Sequence, residues 1–360
     1  MPDERLKEFI ETASEVSPFR VEDDFGNGFV RLRTEEAERR QAAHDIRCTE
    51  DIVIEALRNA RDAHARSIFL AASKEGGQRT LVMVDDGDGV PPSMHERIFE
   101  PRVTSKLDTV HMDKWGVHGR GMALFSIACN CEEARVAWSD AGKGAAFVFS
   151  SDTARLAERA DQSSFPTFHQ TETGSVAVRG PRNILRTACE FALDSAKDCT
   201  VYVGSPAEIA ATLHAFAVSS LTPSQRAFCA DEEALPACKQ LGAASDPASF
   251  RAIAARLGLS LSERTCRRIL DGAIAPLGPI TDRVRIEAPA AARKRPRAPK
   301  TLPQDARGLR IDPLDAQLFA DALRRPFSDL ARSYYLEPDV QPDVRVERDR
   351  IVVSFPVQKL

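Results

Sequence analysis

The chain has 360 residues, of which 43% are hydrophobic and 28% are charged, and its formal net charge is −4 at pH 7. A chain of this length exceeds one ordinary hydrophobic core, so we expect more than one domain. Because the net charge is small and negative, any contact with nucleic acid must come from a local basic patch. The sequence has no apolar run near the roughly 18 residues of a membrane span, so no membrane partner is expected.

Cysteine usage points to a reducing compartment. The cysteines are scattered, and only Cys129 and Cys131 lie close together. A single intervening residue suits neither a zinc site nor a redox dithiol. We therefore expect reduced, mostly buried thiols. Together with an N-terminus that does not resemble a signal peptide, this indicates a cytoplasmic protein.

The first part of the chain mixes helix and strand patterns. Residues 1–48 are charged and are predicted to form a helical extension. A helix should follow, with Thr49 as its N-cap. Two strands are predicted at 67–71 and 80–84, separated by a Gly-Gly turn.

A short helix at 122–128 and two further strands at 134–139 and 145–150 complete this part. No βαβ alternation recurs along it. The combination predicts an α+β fold in which residues 49–150 form a two-layer α/β sandwich.

Composition divides the rest of the chain into further segments. Residues 151–172 are polar and are predicted to be a loop. Residues 174–220 are predicted to be a small α/β segment, and residues 222–285 a helical region. Residues 286–309 are basic and rich in Pro and Ala, which is typical of a linker. Residues 310–360 are predicted to be a C-terminal α/β tail.

The segment EALRNARDA, at residues 55–63, places three polar side chains on one face of the first helix. Glu55, Asn59 and Asp62 are spaced four and three residues apart. The carbonyl oxygen of Asn59 is the kind of ligand that Mg²⁺ prefers. Glu55 lies one turn away and is suited to polarise an attacking water as a general base.

Three more motifs follow in order. DDGDG, at residues 85–89, comes directly after a predicted strand. IFEPRVTSK occupies residues 98–106, and GVHGRGMALFSI occupies residues 116–127. Glycine N–H groups and the N-terminus of the following helix are suited to face phosphate oxygens. Each motif alone is weak, but four of them in one order on the expected elements make a chance match a poor explanation.

Together the four motifs resemble the ATP site of the GHKL superfamily, which includes gyrases, a class of heat-shock chaperones, histidine kinases and MutL. The resemblance covers residues 50–150 and implies a Bergerat-type sandwich that binds ATP with Mg²⁺. It implies that Asp85 accepts a hydrogen bond from the adenine 6-amino group, and that Gly87 and Gly89 let the backbone pass close to the base. Asp86 departs from the asparagine usual in the family.

The resemblance also implies a set of nucleotide-binding residues, with Asn59 as the metal ligand. This set is Asn59, Asp62, Asp85, Gly87, Gly89, Thr104, Ser105, Lys106, Gly116, Gly119, Arg120 and Gly121.

The function implied by the resemblance is that of an ATP-operated switch with ATPase activity. ATP would order a lid over the phosphates, formed by about residues 102–121, and hydrolysis with Glu55 as general base would reset it. Relatives of the MutL and type IIB topoisomerase kind dimerise through the ATP domain, so a homodimer is an expected assembly. Two alternatives stay open: a stand-alone kinase-like protein of the histidine-kinase or anti-sigma type, and a DNA-binding regulator that only senses ATP.

DNA is a possible partner through residues 249–270, which resemble a helix-turn-helix. Arg267 and Arg268 would lie on its second helix, which enters the major groove in such motifs. An ordinary helical hairpin fits the same pattern, so both interpretations stay open.

Overall fold

The computed structural model describes twelve stretches of the chain. They are residues 21–26, 28–32, 40–42, 44–105, 111–113, 116–118, 121–159, 161–170, 176–227, 232–287, 310–347 and 350–359. The chain forms two compact units, Met1–Pro289 and Ala290–Leu360.

Strands and helices alternate irregularly along the described residues. The strands are β1 (Val21–Gly26), β2 (Phe29–Leu32), β3 (Ser67–Glu75), β4 (Gln78–Asp85), β5 (Val103–Thr104), β6 (His111–Asp113), β7 (Gly116–His118), β8 (Glu133–Ser139), β9 (Ala145–Asp152), β10 (Thr167–Gln170), β11 (Val176–Arg179), β12 (Thr200–Gly204), β13 (Ile286–Glu287), β14 (Asp343–Val346) and β15 (Ile351–Ser354). The helices are α1 (Thr49–Asp62), α2 (Ala123–Asn130), α3 (Ile184–Asp194), α4 (Pro206–Ser220), α5 (Pro223–Ala227), α6 (Pro247–Arg256), α7 (Glu263–Leu270) and α8 (Pro313–Ser333).

The centre of the first unit is a five-stranded mixed sheet in the order β12-β3-β4-β9-β8. The pairs β3–β4, β4–β9 and β9–β8 are antiparallel, whereas β12 pairs with β3 in parallel. Helices cover this sheet, so the predicted α+β sandwich is confirmed.

Side chains of the central strands alternate between two hydrophobic cores. On β3, Ile68 and Leu70 belong to one core, and Phe69 and Ala71 belong to the other. The first core contains the apolar face of α1, including Leu57, together with residues of α3. Helix α1 begins where Cys48 and Asp51 form a capping box, so the N-cap is Cys48 and the prediction of Thr49 is wrong by one residue.

The second core lies on the opposite face of the sheet and comes from the C-terminal part of the unit. It contains Leu213 from α4, Phe250 from α6 and Ile269 from α7. The predicted boundaries at residues 150 and 220 therefore do not separate compact bodies. Strand β12 completes the sheet, and the helices after it cover a face that the first 150 residues leave open.

The predicted helical extension over residues 1–48 is corrected at residues 21–32, which form the hairpin β1–β2. Gly26 and Gly28 have positive φ angles and flank the turn, and a glycine-rich turn between apolar residues is a hairpin signal. Strand β2 also pairs with β5. Residues 1–20 lie outside the described residues.

Two predictions of irregular structure are corrected as well. Within the predicted loop 151–172, strand β10 pairs with β11. At the start of the predicted linker 286–309, strand β13 pairs in parallel with β10. Both strands are short, so their hydrophobic pattern is weak in the sequence. The linker beyond residue 287 lies outside the described residues.

The second unit contains helix α8 and the antiparallel pair β14–β15. Phe327 and Phe355 stack with ring centroids 4.2 Å apart. Across both units, the helices that the structure describes include none long and apolar enough to cross a membrane.

The described cysteines are all free thiols. Cys189 and Cys238 are buried, and burial raises the pKa of each thiol to about 12. These thiols therefore stay protonated near neutral pH and act as small apolar side chains.

The packing of α6 and α7 against the sheet can be tested at Gly258. This residue joins the two helices with φ +85°, and an added Cβ would lie 2.3 Å from Cγ2 of Val148 on β9. Gly272 has φ +71° and open space around it, so it is a matched control. We expect Gly272→Ala to cost roughly 1 kcal/mol of unfolding free energy through backbone strain. Gly258→Ala should cost roughly 2–4 kcal/mol, because overpacking adds to the strain.

Urea denaturation of both variants measures the difference. Equal losses of unfolding free energy in the two variants would contradict the packing of the α6–α7 pair against this face of the sheet.

Candidate functional site

One face of α1 borders a cavity of about 850 Å³. This volume is within the range of small-molecule sites, roughly 300–1,000 Å³. The wall comes from elements far apart in sequence: α1, the end of β4, β5, the start of α2 and part of the N-terminal hairpin. The predicted site residues that line it are Glu55, Asn59, Asp62, Asp85, Gly89, Thr104, Ser105 and Gly121.

Four predicted residues lie wholly or partly outside what the structure describes. Lys106, Gly119 and Arg120 lie outside the described residues. Gly116 begins β7, whose backbone alone is described. Gly87 lies in the loop after β4 but is not part of the cavity wall.

Asp85 is positioned by the centre of the sheet. It is the last residue of β4, paired with Ile68 on one side and Ala145 on the other, and it is only 2% exposed. Its Oδ1 accepts a hydrogen bond from the backbone N–H of Gly87 at 2.9 Å. A carboxylate this buried needs hydrogen-bond donors, and the cavity gives it access to a donor on a ligand.

The loop after β4 is packed tightly against protein backbone. A Cβ on Gly87 would lie 2.5 Å from the carbonyl oxygen of Ala63, and one on Gly89 would lie 2.0 Å from that of Asp140. Any larger residue would push the loop away from the end of α1 or from the β8–β9 turn. The packing of this loop therefore requires glycine at both positions. This requirement is separate from the close approach to a base that the resemblance implies.

Asp86, which departs from the family's usual asparagine, fastens the same loop. Its Oδ1 accepts hydrogen bonds from the backbone N–H groups of Arg66 and Ser67, each at 2.7 Å. An asparagine side chain also carries an acceptor oxygen at this position. The substitution therefore preserves the oxygen that holds the loop to the start of β3.

The base of the predicted lid is attached to the N-terminal hairpin. The backbone N–H of Leu32 donates to the carbonyl of Arg102 at 3.1 Å, and β5 continues the pairing with β2. An added Cβ on Gly121 would lie 3.2 Å from Cβ of Thr104. The two ends of the lid therefore meet beside the cavity.

The hairpin is also held by charged and aromatic contacts. The guanidinium groups of Arg31 and Arg97 both contact the Phe25 ring, at 5.2 and 4.6 Å from its centroid. Arg31 forms an ion pair with Glu100. Phe29 contributes to the cavity wall. The helical interpretation of residues 1–48 missed this contribution, although the glycine-rich turn was its signal.

Most of the charged side chains described in the cavity wall are acidic. Its carboxylates are those of Asp45, Asp51, Glu55, Asp62, Asp85 and Asp88. The described cationic side chains in the wall are those of Arg58 and Arg102. Such a wall repels a polyphosphate unless a cation neutralises part of the charge.

The oxygen donors fit Mg²⁺. This ion usually keeps several waters and takes one or two protein oxygens besides the substrate phosphates. Asn59 places an amide in the wall. Within the described ranges, no cluster of three or more His, Cys, Asp or Glu side chains could hold a metal by itself.

Two arginines on α1 contact the predicted polar residues. Nη1 of Arg58 lies 2.5 Å from Oε1 of Glu55, and its side chain is almost fully buried. Nη2 of Arg61 lies 3.1 Å from Oδ1 of Asp62. Neither arginine was among the predicted site residues, although the i,i+3 spacing of Glu55 and Arg58 is a recognisable signal.

Comparison with known proteins gives a family for this segment. Residues 44–155 match the model described as "Histidine kinase-, DNA gyrase B-, and HSP90-like ATPase". A DNA mismatch repair protein MutL from Clostridium perfringens is 34% identical over 99 residues, which are 27% of this chain and 14% of that protein. MutL from Aquifex pyrophilus is 33% identical over 105 residues, 28% of this chain and 24% of that protein.

Among solved structures, full-length ShkA in complex with AMPPNP matches 43% of this chain and 30% of its own, at 22% identity and a TM-score of 0.23. A superposition this loose supports no transfer of function. The chain covers less than a quarter of the length of the MutL relatives. The family match, the motifs and the cavity agree on one segment: residues 44–155 are an ATPase domain of the GHKL superfamily.

Proposed function

We propose that this chain binds Mg-ATP in the cavity beside α1, hydrolyses it, and acts in the cytoplasm as an ATP-operated conformational switch. One observation carries the proposal. The fold brings Glu55 and Asn59 on α1 and Asp85 at the end of β4 to one cavity, within the segment that matches the family.

In this proposal Asp85 accepts a hydrogen bond from the adenine amino group. The phosphates extend toward the glycines that precede α2, and Thr104, Ser105 and Lys106 contribute from the lid base. Asn59 holds the metal, which supplies positive charge to the phosphates when bound. Asp62 supports the nucleotide from the same helical face.

Glu55 is the general base for hydrolysis. It accepts a proton from a water molecule while the water oxygen bonds to the γ-phosphorus. The bond between that phosphorus and the β,γ-bridging oxygen breaks, which gives ADP and inorganic phosphate. General-base catalysis contributes about 10²–10⁴-fold to a rate, so hydrolysis should depend strongly on this carboxylate.

The switch involves the lid and the hairpin. Strand β5 opens the lid and pairs with β2, so a lid ordered by phosphate would act directly on the N-terminal hairpin. The resemblance to MutL-like domains favours dimerisation through the ATP domain as the output.

The alternative function is that of a kinase-like protein that transfers the γ-phosphate to a partner. Incubation with γ-labelled ATP separates free phosphate, a labelled partner and unreacted ATP.

DNA contact through residues 249–270 is a second proposal. On α7, Arg264, Arg267 and Arg268 are exposed, and Arg267 pairs only loosely, at 3.6 Å, with Glu263 on the same helix. The guanidinium groups therefore face solvent, where phosphates can reach them. The MutL relatives are named for DNA mismatch repair.

We expect Asp85→Ala to lower ATP affinity about 10- to 100-fold, because a hydrogen bond to a charged group contributes roughly 1.5–3 kcal/mol. Isothermal titration calorimetry with Mg-ATP measures the change. The control is Asp161→Ala, since that carboxylate also accepts backbone N–H groups but lies outside the cavity wall. Parental affinity in the Asp85 variant would remove the assignment of this site.

We expect Glu55→Ala to bind ATP with near-parental affinity and to hydrolyse it at least about 100-fold more slowly, because the general base is absent. Steady-state phosphate release and calorimetry give the two quantities. Unchanged turnover would show that Glu55 is only a structural residue of α1.

We expect the double variant Arg267→Ala/Arg268→Ala to weaken a DNA gel shift at low salt. The slope of the salt dependence should become shallower by about one for each phosphate that the variant no longer neutralises. Arg135→Ala is the control, because Arg135 is an exposed arginine of the same unit on β8. The DNA proposal is abandoned if the parent gives no shift at low salt, with or without ATP.

A further inference from the structure

A buried cation lies directly beside the carboxylate that we assign to catalysis. Arg58 is 3% exposed, and Nη1 is 2.5 Å from Oε1 of Glu55 one turn earlier on α1. The Glu55 side chain is 22% exposed and borders the cavity. Exposed ion pairs of this spacing on helices are weak. A guanidinium this deeply buried needs its partners, because an uncompensated buried charge is costly.

The contact restricts the position of the carboxylate. A glutamate on a helix surface samples several rotamers. A hydrogen bond from a planar, rigid guanidinium favours the rotamers that bring Oε1 to it. Arginine stays protonated throughout, so Arg58 holds Glu55 without exchanging a proton. Because both side chains line the same wall, the contact sets where the carboxylate stands relative to a bound nucleotide.

We propose that Arg58 is a positioning residue that orients the Glu55 carboxylate for hydrolysis. This inference rests on the proposed role of Glu55 as general base. It differs from a purely structural ion pair in one respect. Loss of Arg58 should change the rate of the chemical step and leave nucleotide binding nearly intact.

The test uses the full-length chain with Mg-ATP. We expect Arg58→Gln to lower kcat about 10- to 100-fold, because a misplacement of about 1 Å can cost that much, and to keep ATP affinity within about twofold of the parent. Arg58→Lys retains a cationic donor without the planar fork and should recover part of kcat. Arg58→Met fits a buried position and replaces the glutamine variant if that variant does not fold.

The matched control is Arg186→Gln on α3. Arg186 pairs with Glu190 at 2.7 Å, and the two side chains are 18% and 21% exposed, but neither lines the cavity. This variant should keep the parental kcat. A comparable fall in kcat in the control would show that helix ion pairs affect turnover through stability alone, which overturns the inference.

A double-mutant cycle completes the test. In the Glu55→Gln background, Arg58→Gln should cause no further loss of turnover, because Arg58 acts through Glu55. If the two substitutions lower kcat independently, so that their effects multiply in the double variant, the positioning role is overturned. It is also overturned if Glu55→Gln is inactive but Arg58→Gln keeps the parental kcat. If Glu55→Gln itself turns over like the parent, the proposed function of Glu55 fails, and the role of Arg58 fails with it.

Discussion

Strand β4 is paired on both sides and buried on both faces, and the candidate site depends on this constraint. Its neighbours β3 and β9 set its register, so Asp85 always ends the strand between Ile68 and Ala145. Slippage by one residue would exchange the two faces of the strand, so Leu81 and Met83 would trade cores with Val82 and Val84, and Asp85 would leave its place at the cavity. The hydrophobic packing of the sheet is therefore also what holds a buried carboxylate at the cavity.

The rest of the site is built around that fixed point. The loop after β4 is held between the end of α1 and the β8–β9 turn, and Asp86 ties it to the start of β3. The base of the lid is held differently, by the short strand β5 and the hairpin β1–β2. Few hydrogen bonds join β5 to β2, which suits a segment whose conformation should respond to a ligand.

Electrostatics links binding to chemistry in this cavity. The wall contains six carboxylates, which is why the proposed nucleotide would bind together with a divalent cation. The same acidity makes the position of each cation important. Arg58 contacts Glu55 on α1, and Arg102 lies at the base of the lid with a positive φ angle of 56°. One of them thus contacts the proposed base, and the other lies where the lid begins.

Features that depend on local order could be predicted from the amino-acid sequence. Helical periodicity places Glu55, Asn59 and Asp62 on one face of α1, and the strand before DDGDG delivers Asp85, because both follow from spacings of a few residues. Features that depend on distant partners could be read only from the folded chain. The hairpin at the lid base, the parallel pairing of β12 and the second helical layer all require contacts across the chain. The burial of Arg58 against Glu55 belongs with them, because the helix sets only their spacing and the surrounding core excludes water from the guanidinium.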